Sequence, residues 1–150
     1  MSTYTQILFQ IVFGAKNYTS FLTPKNQIIL FNYIAGICQK KKCFPYIVGG
    51  YGNHIHIITS LNPTLALSDL VQVIKMSSNH MMSGNTFLFK SFPGWQVGFG
   101  GFSYHYSSKD NLVKYVKNQE KHHRKHSYQE EVTDLFTKSG IEYELKYLLT

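Results

Sequence analysis

Two hydrophobic rhythms alternate along the chain. Tyr4 to Ala15 is a run of β-branched and aromatic residues, which predicts a long strand. Thr23-Pro24 opens a helix, with Thr as N-cap and Pro as first helical residue. Its apolar stripe reads as Ile28, Ile29, Phe31, Ile34, Ala35 and Cys38. The helix runs out into Lys40-Lys41-Lys42, where the helix dipole favours cations. Phe44 to Val48 predicts a short strand, Gly49 to Asn53 a turn, and His54 to Ser60 the returning strand of a hairpin. Asn62-Pro63 breaks that strand, and Ser68 caps a second helix to about Met82, with Leu70, Val71, Ile74 and Met81 inward. A loop carrying Phe87, Phe89 and Phe92 leads to a strand from Trp95 to Ser103, whose glycines imply bends or close approach. Ser107 with Asp110 resembles a capping box for a helix from Lys109 to about Lys125. Ser127-Tyr128-Gln129-Glu130 is a cleaner box, opening a last helix to Lys138 that Gly140 ends; Ile141 to Thr150 reads as an extended tail.

The order β-α-β-β-α-β, followed by helices, is the split β-α-β arrangement. It predicts an α+β fold: a ferredoxin-like, RRM-like antiparallel sheet with helices on one face, plus a C-terminal helix. The 150 residues suit one domain, 1–150. A chain of this length hides roughly 70% of the surface it exposes unfolded, so it needs no staples. Its 43% hydrophobic share excludes disorder. No apolar run reaches the ~18 residues of a membrane span, and the start has no basic signal-peptide region. Cys38 and Cys43 build neither a disulfide framework nor a zinc finger, so a reducing cytoplasm is the expected setting.

Charge changes the picture more. The net charge is +7, and residues 1 to 68 contain no Asp or Glu against five lysines. A basic half without acids suits a polyanion, nucleic acid above all, although a solubilising surface is the plainer reading. The candidate phosphate contacts are Lys16, the run Lys40, Lys41 and Lys42, and Lys75. Only Arg124 is an arginine, so backbone or shape recognition is favoured over bidentate base reading.

The chemistry-bearing residues are few. His54 and His56 are two apart on a predicted strand, so both rings stand on one face while Ile55 turns to the core. Such a pair can hold one metal ion; two unrelated histidines are the bland alternative. Tyr115 and Gln119 are four apart and share a helix face. Taken singly, each has an ordinary structural reading. His122 and His126 share the same spacing, but the H-E-x-x-H pattern is absent, and a solvated polar face is the simpler reading. With no Ser-His-Asp, Cys-His or Walker pattern, and no carboxylate beside the pair, phosphoryl transfer by a side-chain nucleophile fits best.

These residues carry a resemblance. The H-I-H strand at His54, Y-V-K-N-Q at Tyr115, the opening Y-T-Q-I-L-F-Q-I-V-F-G-A-K, the W-Q-V-G-F-G-G-F-S segment and S-Y-Q-E-E-V at Ser127 together resemble the single-tyrosine HUH transposases of the smallest bacterial insertion sequences. The resemblance runs through nearly the whole chain. It implies that the C-terminal helix carries the nucleophile, Tyr115, and that His54, His56 and Gln119 bind Mg²⁺ or Mn²⁺. It implies cleavage and rejoining of single-stranded DNA at element ends through a 5′-phosphotyrosine, recognition of hairpins near those ends, and a homodimer that can share its sites. Relatives commonly have Asp where this chain has Asn53, which puts support of the first histidine in question. Two alternatives remain open: a domesticated structure-specific nuclease of the same lineage, and a non-catalytic nucleic-acid-binding module of RRM type.

Overall fold

β1 (Leu8–Gly14) is the strand around which the sheet is built. It pairs on one side with β3 (His54–Ser60) and on the other with β4 (Gly100–Tyr104); β3 pairs in turn with β2 (Pro45–Tyr51). Every pairing is antiparallel and the order is β2-β3-β1-β4, the ferredoxin-like arrangement. The computed structural model describes residues 2–144, so the end of the expected tail, 145–150, lies outside the described residues.

Period-2 alternation gives the sheet two buried faces. Ile11, Phe13, Ile55 and Ile57 point toward α1 (Pro24–Lys40) and α2 (Leu67–Ser83), whose Leu30, Ile34, Leu70 and Ile74 complete the main core. Leu8, Val12 and Ile58 point the other way, toward α3 (Lys109–Lys117) and α5 (Tyr128–Lys138). A short α4 (Gln119–His123) joins those two. Helices α1 and α2 thus cover one face as expected, and the C-terminal helices cover the second. That second face also buries Gln10, His54 and His56. Three polar side chains in a packed interface require partners.

Several boundaries differ from the sequence reading, for physical reasons. β1 starts at Leu8 rather than Tyr4, because Tyr4 is 92% exposed and has no strand to pair with. The α1 capping box forms as Thr23 predicts, closed by Asn26 rather than Glu. Its buried stripe is Leu30, Ile34, Ile37 and Cys38; Ile28 and Ile29 face solvent. β2 continues through Gly49 and Gly50 to Tyr51, which the glycines had suggested as turn. α2 begins at Leu67, one residue before Ser68, and its cap position, Ala66, supplies no side-chain bond. Trp95 makes only an isolated bridge to Ala15, and strand β4 begins at Gly100. Its indole instead fills the main core, Nε1 donating to Ser78 Oγ at 2.9 Å. Ser107 does not cap α3 through a side-chain bond, and the helix predicted to Lys125 breaks at Asn118 (φ −95°, ψ 17°). Ser127 does cap α5, its Oγ accepting from Glu130 N at 3.1 Å. Both cysteines are buried free thiols, and among the described residues no helix is long and apolar enough to cross a membrane.

One close approach sets where α3 lies. Gly49 pairs with His56 across β2 and β3, and a Cβ there would sit 2.6 Å from Val116 Cγ1. The helix carrying Tyr115 therefore rides on bare backbone. Gly49→Ala is expected to cost about 1–3 kcal/mol through overpacking. At this chain length that lowers the thermal midpoint by roughly 2–4 °C per kcal/mol. An unchanged midpoint in a circular-dichroism melt would show that α3 has room to spare.

Candidate active site

His54 and His56 project from β3 into the layer beneath α3, α4 and α5, and both are buried. Each ring is held at Nδ1 by an amide oxygen. Asn53 Oδ1 lies 3.0 Å from His54 Nδ1, and Asn53's own NH₂ donates to the Tyr18 carbonyl at 3.2 Å. Gln10 Oε1 lies 2.9 Å from His56 Nδ1, with Gln10 Nε2 donating to Tyr104 Oη at 2.9 Å. An amide oxygen only accepts, so each Nδ1 carries the hydrogen and each Nε2 presents a lone pair. Asn53 thus does the orienting that an aspartate would do, without adding charge. The Tyr128 ring stacks on His54 with centroids 4.3 Å apart, and its hydroxyl donates to Gln96 Oε1 at 3.0 Å. Gly14 sits opposite His54 in register, and a Cβ there would meet Tyr128 Cε2 at 2.9 Å.

The two Nε2 atoms point at Glu131, in the first turn of α5. Its Oε1 lies 3.0 Å from His56 Nε2 and 3.2 Å from His54 Nε2. His123 Nε2 is also 3.2 Å away; its Nδ1 donates to the His126 carbonyl at 2.7 Å, so this nitrogen too is bare. Gln119 Oε1 lies 3.0 Å from the Nε2 of both His54 and His123. The other carboxylate oxygen has donors: Gln119 Nε2 at 2.9 Å and the Tyr115 hydroxyl. His122 Nε2 lies 3.4 Å from that same oxygen.

Five lone-pair atoms therefore converge on one buried spot: three imidazole nitrogens, a carboxylate oxygen and an amide oxygen. Burial lowers the His54 imidazole to about 4, so it is neutral near pH 7. Burial raises the Glu131 carboxyl, but its contacts with His123, His54 and His56 outweigh this and hold it ionised, well below the usual carboxylate range. A bare imidazole lone pair facing an ionised carboxylate oxygen across ~3 Å is stabilised by a cation between them, a proton or a metal ion. A mixed N and O set of this kind fits a divalent metal ion. Ligand atoms of His54, His123 and Glu131 all lie within 4.8 Å of one another. Tyr115 is pushed above the ordinary tyrosine range by burial and then by the neighbouring Glu131 charge.

The structure thus brings His54, His56, Tyr115 and Gln119 together, in one chain. Tyr115 lies against its own His56, with ring centroids 5.8 Å apart. The lysines fall elsewhere. Lys40, Lys41 and Lys42 end α1 beside Phe44, which pairs with Ser60, roughly 20 Å along the strand from His54 at ~3.3 Å per residue. Lys75 donates to the carbonyls of Gln96 and Gly98 and lies 5.0 Å from the Phe13 ring; burial lowers it to about 8. Lys16 is exposed beside Gly94, at the His54 end of the sheet. The expectation that no carboxylate accompanies the histidines is corrected by Glu131, which arrives from a separate helix. His123 was also passed over, although its spacing of four from Gln119 was a usable signal. His122, read as solvated, is half-buried against Tyr115 with centroids 5.6 Å apart, while His126 is exposed.

The outer partners generate a prediction. Asn53→Ala and Gln10→Ala free one imidazole each and are expected to weaken Mn²⁺ binding about 10- to 100-fold by calorimetry. Glu131→Gln should lose at least as much, having removed the only charge. Unchanged affinity in Glu131→Gln would exclude the carboxylate as a ligand.

Comparison with known proteins gives the family. Residues 3–119 match the family model described as transposase, IS200-like, and that stretch contains His54, His56, Tyr115 and Gln119. No curated protein sequence matches the chain. A solved structure from Deinococcus radiodurans named as a transposase aligns with a TM-score of 0.62 at 14% identity, covering 79% of this chain and 95% of that one. A REP-associated tyrosine transposase, solved bound to a REP hairpin, aligns with a TM-score of 0.60 at 18% identity, covering 82% of this chain and 74% of that one. At these identities the two structures speak to the fold, which they share with this protein. The match over most of its length makes this chain a member of the IS200-like transposase family, and its broad function that of a DNA transposase.

Proposed function

We propose that this transposase cuts and rejoins single-stranded DNA at the ends of an insertion sequence, with the Tyr115 oxygen as nucleophile. The observation that carries the reading is that Glu131 binds both parts of the machinery. Its Oε1 faces the imidazole nitrogens, and its Oε2 accepts the Tyr115 hydroxyl. The nucleophile and the charge-binding centre are therefore neighbours within one chain.

The chemistry balances without hydrolysis. The Tyr115 oxygen forms a bond to phosphorus as the bond to the 3′ oxygen breaks. The tyrosine proton, already directed at Glu131 Oε2, passes through that carboxylate to the departing 3′ oxygen. The products are a 5′-phosphotyrosine and a free 3′-hydroxyl. Attack of another 3′-hydroxyl on the phosphotyrosine returns the tyrosine and joins the strands, with no ATP. His54, His56 and Gln119 would hold Mg²⁺ or Mn²⁺, joined by Glu131 and His123; when bound, the ion supplies charge that polarises a phosphate oxygen. The family resemblance and the hairpin-bound relative support single-stranded, hairpin-bearing DNA as the substrate. A homodimer would bring two such centres together, as exchange between two element ends requires. The contact of Tyr115 with its own His56 favours sites completed within each subunit.

Labelled single-stranded oligonucleotides from the DNA flanking the gene, incubated with Mn²⁺, are expected to give a covalent protein–DNA adduct. Tyr115→Phe keeps the ring and its packing and should give none. An adduct formed by Tyr115→Phe at the wild-type rate would move the nucleophile elsewhere. Mixing the His54→Ala/His56→Ala protein with Tyr115→Phe tests assembly. Each site then lacks one part if built within a subunit, so cleavage should stay absent; restored cleavage would show sharing between subunits.

A further inference from the structure

We propose that the outer face of α3 and α4 is a track for one DNA strand, with bases stacking at its α3 end and phosphates held beyond Tyr115. The inference rests on the single-stranded substrate proposed above and adds the path of the strand. Lys114, Tyr115, Asn118, Lys121, His122 and Lys125 recur at helical spacing and line a cleft of about 510 Å³. Among the described residues no carboxylate lines it. Lys109, Arg124 and Lys138 find acidic partners, but among the described residues Lys114, Lys121 and Lys125 make no ion pair. Three exposed ammonium groups without partners beside a nucleophile suit an anionic chain. His122 lines the same cleft, with its ring 5.6 Å from that of Tyr115.

The second observation comes from the other end of α3. Phe44, Tyr46 and Tyr106 form a chain of rings with centroids 4.9 Å and 6.3 Å apart. Lys109 Nζ lies 5.6 Å from the Tyr46 ring centre and 5.4 Å from that of Tyr106. Phe44 is 62% exposed and Tyr106 44%, so these faces meet water. Exposed aromatic rings beside a cation are the usual platform for unpaired bases, because every base has a π-face and a duplex hides it. Lys109, which faces the Tyr46 and Tyr106 rings, lies six residues before Tyr115 on α3, about 9 Å along the helix at ~1.5 Å per residue. A strand stacked on the rings and running along the helix passes the Tyr115 hydroxyl before reaching the lysines.

The test measures fluorescence anisotropy of a labelled oligothymidylate with the full chain, in EDTA, over a range of salt. Lys114→Gln/Lys121→Gln/Lys125→Gln is expected to reduce the slope of log affinity against log salt by about 2, from three contacts at ~0.7 each. Phe44→Ala/Tyr106→Ala should lower affinity about fivefold or more at every salt concentration with the slope unchanged. Lys25→Gln/Lys90→Gln removes exposed charge from α1 and the Phe89 loop, on the opposite face of the sheet, and should change neither. All the substituted side chains are on the surface, and equal melting midpoints confirm intact folding. Equal loss from the Lys25/Lys90 variant, or wild-type binding by either track variant, overturns the track alone. Failure of the wild-type protein to bind any single strand overturns the substrate reading as well.

Discussion

A carboxylate buried among imidazoles governs the second face of this sheet. Glu131 is taken out of water, among the described residues with no lysine or arginine paired to it, and an uncompensated buried charge of this kind costs several kcal/mol. The surrounding side chains answer that cost in two ways. Gln119 and Tyr115 donate to one carboxylate oxygen, and three imidazole nitrogens face the other. The second arrangement is complete only when positive charge lies between nitrogen and oxygen. The same feature therefore fits the site to hold a cation next to a tyrosine.

The rest of the fold keeps that geometry fixed. Amide oxygens from Asn53 and Gln10 set both tautomers, so neither imidazole is free to turn its hydrogen inward. Tyr128 lies flat on His54, and its hydroxyl reaches Gln96, which also accepts from Gly14 N at 2.6 Å. The two glycines that matter, Gly14 and Gly49, are places where α5 and α3 press against bare strand backbone. The break at Asn118 separates the helix of the nucleophile from the turn carrying Gln119 and His123, so the two can aim at one centre from different directions.

Much of this was legible in the sequence, because it depends on local periodicity. A spacing of two on a strand fixes His54 and His56 on one face, and a spacing of four on a helix pairs Tyr115 with Gln119. Sheet order follows from element order, and the Thr23 and Ser127 caps stand where their residues indicate. What was hidden depends on how separate elements dock. Glu131 lies 75 positions from His56, on a helix whose first turn gives acidic residues an ordinary dipole role. Both Glu131 and His123 fall beyond the 3–119 family match. Ile28 and Ile29 suggested the core but face solvent, because the α1 register is set by Leu30, Ile34 and Ile37 packing on the sheet. Lys75 suggested a phosphate contact, yet its ammonium is bound to two backbone carbonyls that no sequence pattern reveals.

The shared-cation centre is tested most directly by diffraction from crystals soaked in Mn²⁺, recorded where manganese scatters anomalously. One peak is expected, bounded by His54 Nε2, His56 Nε2 and Glu131 Oε1, with the Tyr115 hydroxyl beside it. An empty centre at saturating Mn²⁺, with the imidazoles hydrogen-bonded straight to Glu131, would contradict it.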